Sequence, residues 1–118
     1  MVKSTGKGGQ SLWTYNLKST EYIPFYNASY YQGPAAKLGA GTAGYEAYSH
    51  TNATGHRMVG GTCATVGIAG GYSLSCRQSI LRTSYGMGAD NVLGWEVVTV
   101  DGNILLQPRI RTPTSIGP

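Results

Sequence analysis

The sequence predicts an α+β domain built mostly on antiparallel sheet, and three observations carry that reading. Residues 91–100, NVLGWEVVTV, are rich in β-branched side chains and run into Asp101-Gly102 and a second apolar run at 104–106, which is a hairpin pattern. Residues 11–17, SLWTYNL, alternate apolar and polar side chains as a half-buried strand does. One stretch between them, 45–54, reads as a helix with Ala, Tyr and Ala on one side, and Gly55 follows it.

Taken in order, residues 1–10 are rich in Gly, Lys and Ser and read as a flexible lead-in to the strand at 11–17. Residues 21–26, EYIPFY, form a second β-type run. Its Pro24 lacks a donor N–H and so belongs at an edge or a bulge. Residues 27–34 have turn composition, and 35–38 form a short strand leading into GAGTAG at 39–44 and then the helix. A short strand at 57–59 enters a glycine-rich loop, and 78–87 make an irregular or short helical crossover to the closing hairpin. The expected domain is 1–106, with 107–118, QPRIRTPTSIGP, as a flexible tail.

Composition narrows the function. The chain has 118 residues, the length of one domain, with 12% charged residues and a net charge of +4. The basic residues are scattered, which argues against a nucleic-acid arm or a polybasic membrane patch. No 18-residue apolar run is present, and the start lacks the apolar core of a signal peptide. A cytoplasmic protein without a membrane span is therefore expected. The sequons at Asn27 and Asn52 would matter only after secretion. Nine tyrosines against one phenylalanine suit half-exposed sheet faces and polar pockets. His50, His56, Cys63 and Cys76 lack metal-ligand spacing, so no metal is expected.

Residues 59–72, VGGTCATVGIAGGY, hold five of the eighteen glycines and one of the two cysteines. Glycine at that density allows close approach of backbone to a ligand or a neighbouring chain segment, at an entropic cost on folding. The segment 39–44 satisfies G-x-G-x-x-G, but its preceding strand, AAKL, is a poor buried strand. After Glu46 the next acid is Asp90, far beyond the ribose-binding position, so a plain strand-turn-helix is favoured over a dinucleotide fingerprint. Cys63 near a histidine would suit nucleophilic catalysis, whereas a small buried apolar role is commoner for a lone cysteine.

GHRMVGGTCATVGIAGGY, YGMGADNVLGWEVVTVDGN, KSTGKGGQSLWTYNLK and YYQGPAAKLGAG together resemble one family across about residues 3–106. They are similar to the FAD-linked oxidoreductases of the berberine-bridge-enzyme type, which carry a PCMH-type, vanillyl-alcohol-oxidase-like flavin domain, and most of all to fungal members acting on natural products. The resemblance implies that Cys63 is the cysteine linked to flavin C6 in many members. It implies that Thr65, Val66 and Gly67 form the backbone passing the flavin, and Gly70, Gly71 and Tyr72 the turn beside its ring and ribityl chain. Asp90, Asn91 and Val92 would lead into a strand lining the adenine side. Three departures stand out: KSTG opens the sequence where the family carries a Gly-His loop before it, Ala64 replaces a frequent proline, and Ser75-Cys76-Arg77 replaces three glycines.

Two functional readings and a fallback follow. In the first, the scaffold serves a non-redox catalyst, of isomerase or cyclase type, on a small natural-product substrate. Tyr72, His56, Arg77, Asp90 and Glu96 are then the candidates for proton transfer and oxyanion stabilisation. In the second, the chain binds FAD through Cys63 and another subunit supplies the rest of the flavoprotein. The fallback is a non-catalytic remnant that binds a partner. In each case part of a clamp-like domain leaves apolar sheet surface uncovered, which implies a homodimer or a partner chain.

Overall fold

The computed structural model describes residues 6–75 and 77–108. Its first sheet is a hairpin of β1 (Thr20–Ala28) and β2 (Tyr31–Leu38), paired antiparallel from Thr20↔Leu38 to Ala28↔Tyr31. The register shifts between Ile23 and Tyr26, where Pro24 and Phe25 together face Pro34. Two residues that cannot donate to the ladder thus meet at the bulge, as expected for Pro24. Residues 29–30 alone make the turn, so 31–34 is strand where turn composition suggested a loop. Gly33 and Pro34 are tolerated there because β2 has no strand on its other side among the described residues.

Helix α1 (Gly44–Ala53) follows the GAGTAG turn, and Gly55, at φ +76°, closes it in the left-handed region. Beyond it come a π-helical turn (Ile68–Ser73), the short helix α2 (Arg82–Tyr85) and a 3₁₀ turn (Gly88–Asn91). The second sheet pairs β3 (Gly94–Val98) with β4 (Ile104–Pro108), antiparallel from Gly94↔Pro108 to Val98↔Ile104. Gly102, at φ +79°, lies in the connecting turn as the Asp-Gly signal predicts. β4 includes Gln107 and Pro108, the first residues of the segment read as a tail, and 109–118 lie outside the described residues. The α+β class with antiparallel sheet is borne out.

Two expected strands are corrected. Residues 11–17 are irregular, with Leu17 N–H donating to Thr14 O at 2.9 Å, and Leu12 and Trp13 are 88% and 79% exposed. Residues 57–59 form no strand either. Both have β-type side chains, but among the described residues neither has a neighbouring strand to pair with, and unpaired backbone has no reason to stay in a ladder geometry.

The buried core is small: Ala47 from α1 with Ile68 and Tyr72 from the π-helical turn, backed by Leu38, Met58 and Val66. The sheets are tied by polar contacts. Tyr30 Oη donates to Leu93 O at 2.5 Å, and Lys37 Nζ pairs with Glu96 at 2.9 Å. Val97, Val98, Val100, Ile104, Leu105 and Leu106 all stay exposed on the β3–β4 hairpin.

Candidate functional site

The glycine-rich stretch folds over the start of α1. Gly44 N–H donates to Val66 O at 3.0 Å and Tyr45 N–H to Ala64 O at 2.9 Å, while Ile68 N–H returns a bond to Thr42 O at 3.0 Å. Glu46 Oε2 accepts from Ala43 N–H at 2.8 Å. The first amides of α1, which in a dinucleotide fold would receive phosphate, are therefore occupied by loop carbonyls. The glycines of the GAGTAG turn have a packing explanation too. Gly39 N–H donates to Ser19 O at 2.7 Å and Gly41 N–H to Leu17 O at 2.8 Å. A Cβ on Gly39 would strike the Leu17 carbonyl, and one on Gly41 the carbonyls of Thr14 and Tyr15. The strand-turn-helix reading of this motif holds.

Between the loop and the π-helical turn lies a cleft of about 370 Å³ lined by Tyr48, Gly61, Thr62, Cys63, Val66, Ile68, Tyr72, Arg77 and Gln78. The wide turn exists because Tyr72 N–H reaches back five residues to Gly67 O at 3.0 Å, with the Ser73 hydroxyl adding a bond to Ile68 O at 2.7 Å. Tyr72 is sandwiched: a Cβ on Gly88 would lie 2.7 Å from its ring on one side, and one on Gly61 3.2 Å on the other. Its hydroxyl oxygen is buried with no hydrogen-bond partner among the described residues. Burial pushes the Tyr72 phenol above its ordinary range, and the nearby Ser79 hydroxyl, short of hydrogen-bond geometry, offsets this in part. Burial likewise raises the Tyr48 phenol, with the Tyr72 phenol adding to it.

The expected residues divide by position. Cys63, an exposed free thiol, lines the cleft with Val66, Tyr72 and Arg77. Thr65, Gly67, Gly70 and Gly71 belong to the same loop and turn without lining it. Asp90 and Asn91 sit in the 3₁₀ turn behind Tyr72, where Asp90 Oδ2 accepts from Met87 N–H at 2.8 Å and Asn91 donates to Tyr85 O and Met87 O, both at 2.9 Å. Val92 follows that turn. His56 stands elsewhere, exposed, its ring 5.2 Å from Tyr22. Glu96 is on β3, paired with Lys37. Of the five residues named for proton transfer, Tyr72 and Arg77 share the cleft. Cys76 lies outside the described residues. Tyr48, Thr62 and Gln78 line the cleft without having been singled out, and a tyrosine beside buried Ala47 on α1 was the available signal for the first.

Glycine placement gives a second view of the site. Gly67 and Gly70 have nothing within 4 Å of where a Cβ would stand among the described residues, and neither has a left-handed φ. The fold itself does not require glycine at either position. Open backbone of this kind, in the same loop and turn as an exposed thiol, suits close approach of a ligand. At about 370 Å³ the cleft is near the lower end of ligand pockets, ~300–1,000 Å³, so it fits a ring system and not a whole dinucleotide. With the first amides of α1 occupied, the described residues fit the ring end of FAD and leave its diphosphate to be held elsewhere. Among the described residues no group of three or more His, Cys, Asp or Glu could hold a metal, and no helix is long and apolar enough to cross a membrane.

This is the architecture of part of a flavin domain, and comparison with known proteins supplies the family. No protein-family model matches the chain. It is 63% identical over 112 residues to the VAO-type flavoprotein oxidase VAO615 of Thermothelomyces thermophilus, a match covering 95% of this chain and 19% of that protein. It is 55% identical over 102 residues to the FAD-linked oxidoreductase sthB of Phaeosphaeria nodorum, covering 86% and 32%. Identity to the bifunctional decalin synthase calF of Penicillium decumbens is 52% over 104 residues, covering 88% and 18%. The crystal structure of the VAO-type flavoprotein MtVAO615 at pH 5.0, from Myceliophthora thermophila C1, superposes with a TM-score of 0.83 at 65% identity, covering 88% of this chain and 19% of that one. The chain is a flavin-domain segment of the VAO-type, FAD-linked oxidoreductase family, as the sequence motifs implied. It spans about a fifth to a third of the length of these relatives.

Proposed function

We propose that the chain holds the ring end of FAD in a VAO-type oxidoreductase acting on a small natural-product molecule, with further polypeptide completing the cofactor and substrate sites. The observation that carries this reading is Cys63, a free exposed thiol lining the cleft, on a loop whose Gly67 and, in the following turn, Gly70 have open Cβ positions. FAD, when bound, supplies the two-electron acceptor. Cys63 would hold the ring through its thiol, Arg77 and Gln78 would offer it hydrogen-bond donors, and Tyr48 and Tyr72 would back the cleft. Asp90 and Asn91 act behind Tyr72, by holding the turn against which its ring rests. The exposed aliphatic side chains of the β3–β4 hairpin support an assembly, either a homodimer or a partner subunit.

The test is to incubate purified chain with FAD, precipitate with acid, and inspect the pellet. Colour that stays with the protein, with added mass on the Cys63 peptide that Cys63→Ala abolishes, is the expected result. A colourless pellet and unmodified Cys63, in the presence as well as the absence of the remaining parts of a relative, sinks the proposal.

A second reading has its own support in the name of one relative, a bifunctional decalin synthase, and in the shared position of Tyr72 and Arg77. Here the cleft serves an isomerase or cyclase, with Arg77 stabilising a developing oxyanion and the Tyr72 phenol handling a proton. Flavin-free turnover of a natural-product intermediate that Arg77→Gln reduces would favour it over the flavin reading.

A further inference from the structure

The backbone just before Cys63 is held by a side chain from α1. From α1, Tyr48 reaches beneath residues 60–61 and its hydroxyl donates to Gly61 O at 2.5 Å. Gly60 is closed over the same ring: a Cβ there would meet the Tyr48 hydroxyl and lie 2.7 Å from Cζ. On the opposite side a Cβ on Gly61 would lie 3.2 Å from the Tyr72 ring. The next residues, Thr62 and Cys63, are exposed, and Thr62 makes no hydrogen bond among the described residues. Beyond them the loop turns on a bond from Val66 N–H to Cys63 O at 3.4 Å and is held to α1 at Ala64 and Val66, whose carbonyls accept from Tyr45 and Gly44. Cys63 therefore sits on a short span whose near end is fixed by the Tyr48 hydroxyl and whose far end is fixed by the start of the same helix.

We propose that Tyr48 is a positioning residue that fixes the Gly60–Gly61 backbone and so presents the Cys63 thiol at the mouth of the cleft. The inference rests on the reading of that cleft as the ligand site, and it adds a residue to it. Burial keeps the Tyr48 phenol neutral to higher pH than usual, so it remains a donor throughout the neutral range. Tyr48→Phe removes the bond and keeps the ring that fills the space under Gly60.

The test compares wild type and Tyr48→Phe by amide hydrogen exchange and by the rate at which a neutral maleimide alkylates Cys63, read on the Cys63 peptide by mass spectrometry. Loss of one buried hydrogen bond should raise exchange across 61–65 about fivefold, leaving the β1–β2 hairpin unchanged. Cys63 alkylation should change in the same variant, and acid-stable flavin incorporation should fall. Leu38→Val, a change on β2 behind the core and outside the cleft lining, should lower Tm without selective loosening of 61–65. Unchanged exchange and alkylation in Tyr48→Phe would overturn the proposal. Altered exchange and alkylation with no flavin taken up by either protein would leave Tyr48 as the positioning residue and sink the flavin reading instead. If Tyr48→Phe does not fold, difluorotyrosine placed at position 48, a stronger donor while protonated, must slow exchange at 61–65 measured in mildly acidic buffer where its phenol keeps its proton, and failure to do so also overturns it.

Discussion

Replacing Gly41 with alanine tests whether the GAGTAG turn is a packing device or a phosphate cradle. Gly41 is not in the left-handed region, so alanine meets no backbone strain there. Its methyl would instead run into two carbonyls, with Tyr15 O at 2.5 Å and Tyr15 C at 2.8 Å, while Gly41 N–H is bonded to Leu17 O at 2.8 Å. These are backbone atoms and cannot rotate away as a side chain would. Overpacking of this kind costs about 2 kcal/mol, within a range of roughly 1–3 kcal/mol. With an m-value of about 1.5 kcal/mol/M in urea, the unfolding midpoint should fall by about 1.3 M. Trp13 lies in the displaced segment, stacked on Tyr15 at 5.2 Å, so its fluorescence should report the change before the midpoint moves. A midpoint within 0.2 M or so of wild type, with unaltered Trp13 emission, would refute the packing account of this turn.

Gly70→Ala should behave in the opposite way. Its Cβ enters open space among the described residues, so stability should stay within about 0.5 kcal/mol of wild type. Flavin affinity, measured by fluorescence quenching, should fall about tenfold if a ring packs against that backbone. Tyr72→Phe removes a buried hydroxyl without a hydrogen-bond partner among the described residues, so thermal unfolding of the free chain should be unchanged or raised. The pH response should centre on Lys18 and Glu46, paired at 2.6 Å, with Lys18 also over the Tyr15 ring. The bond from Lys18, then that from Ala43 N–H, lowers the Glu46 carboxyl below its ordinary 4.5, so this contribution is present above pH 4.5 and is lost as pH falls through the lowered value. The Glu46 bond raises Lys18 above its ordinary 10.5, so its contribution is complete below pH 10.5 and disappears as pH rises through the raised value. Trp13 emission should therefore be flat between these limits and shift outside them, and Glu46→Gln should remove the acid shift.

The hairpins and α1 were legible because their signals are local. The Asp-Gly turn, the β-branched run at 94–98 and Gly55 behind the helix each specify backbone with little help from tertiary contacts. Residues 11–17 misled because alternation describes a strand that has a neighbour, and Trp13 and Leu12 face solvent instead. Residues 31–34 misled in the other direction. Gly and Pro read as loop residues until Pro34 is seen opposite the Pro24 bulge. At the site, the residues around Cys63 were legible because they are contiguous. The outlying candidates His56 and Glu96 depend on which elements fold together, and polar partners (Tyr22 for one, Lys37 for the other) hold them elsewhere. Tyr48 was hidden because its partner is a main-chain carbonyl thirteen residues away, which no side-chain pattern records.

The aliphatic ribbon at 97–106 also bears on temperature. Attraction between such surfaces arises largely from water and weakens on cooling. Any assembly cemented by those valines and leucines should therefore come apart in the cold room and re-form on the bench. Chilled purification would then yield smaller particles than the protein forms at its working temperature.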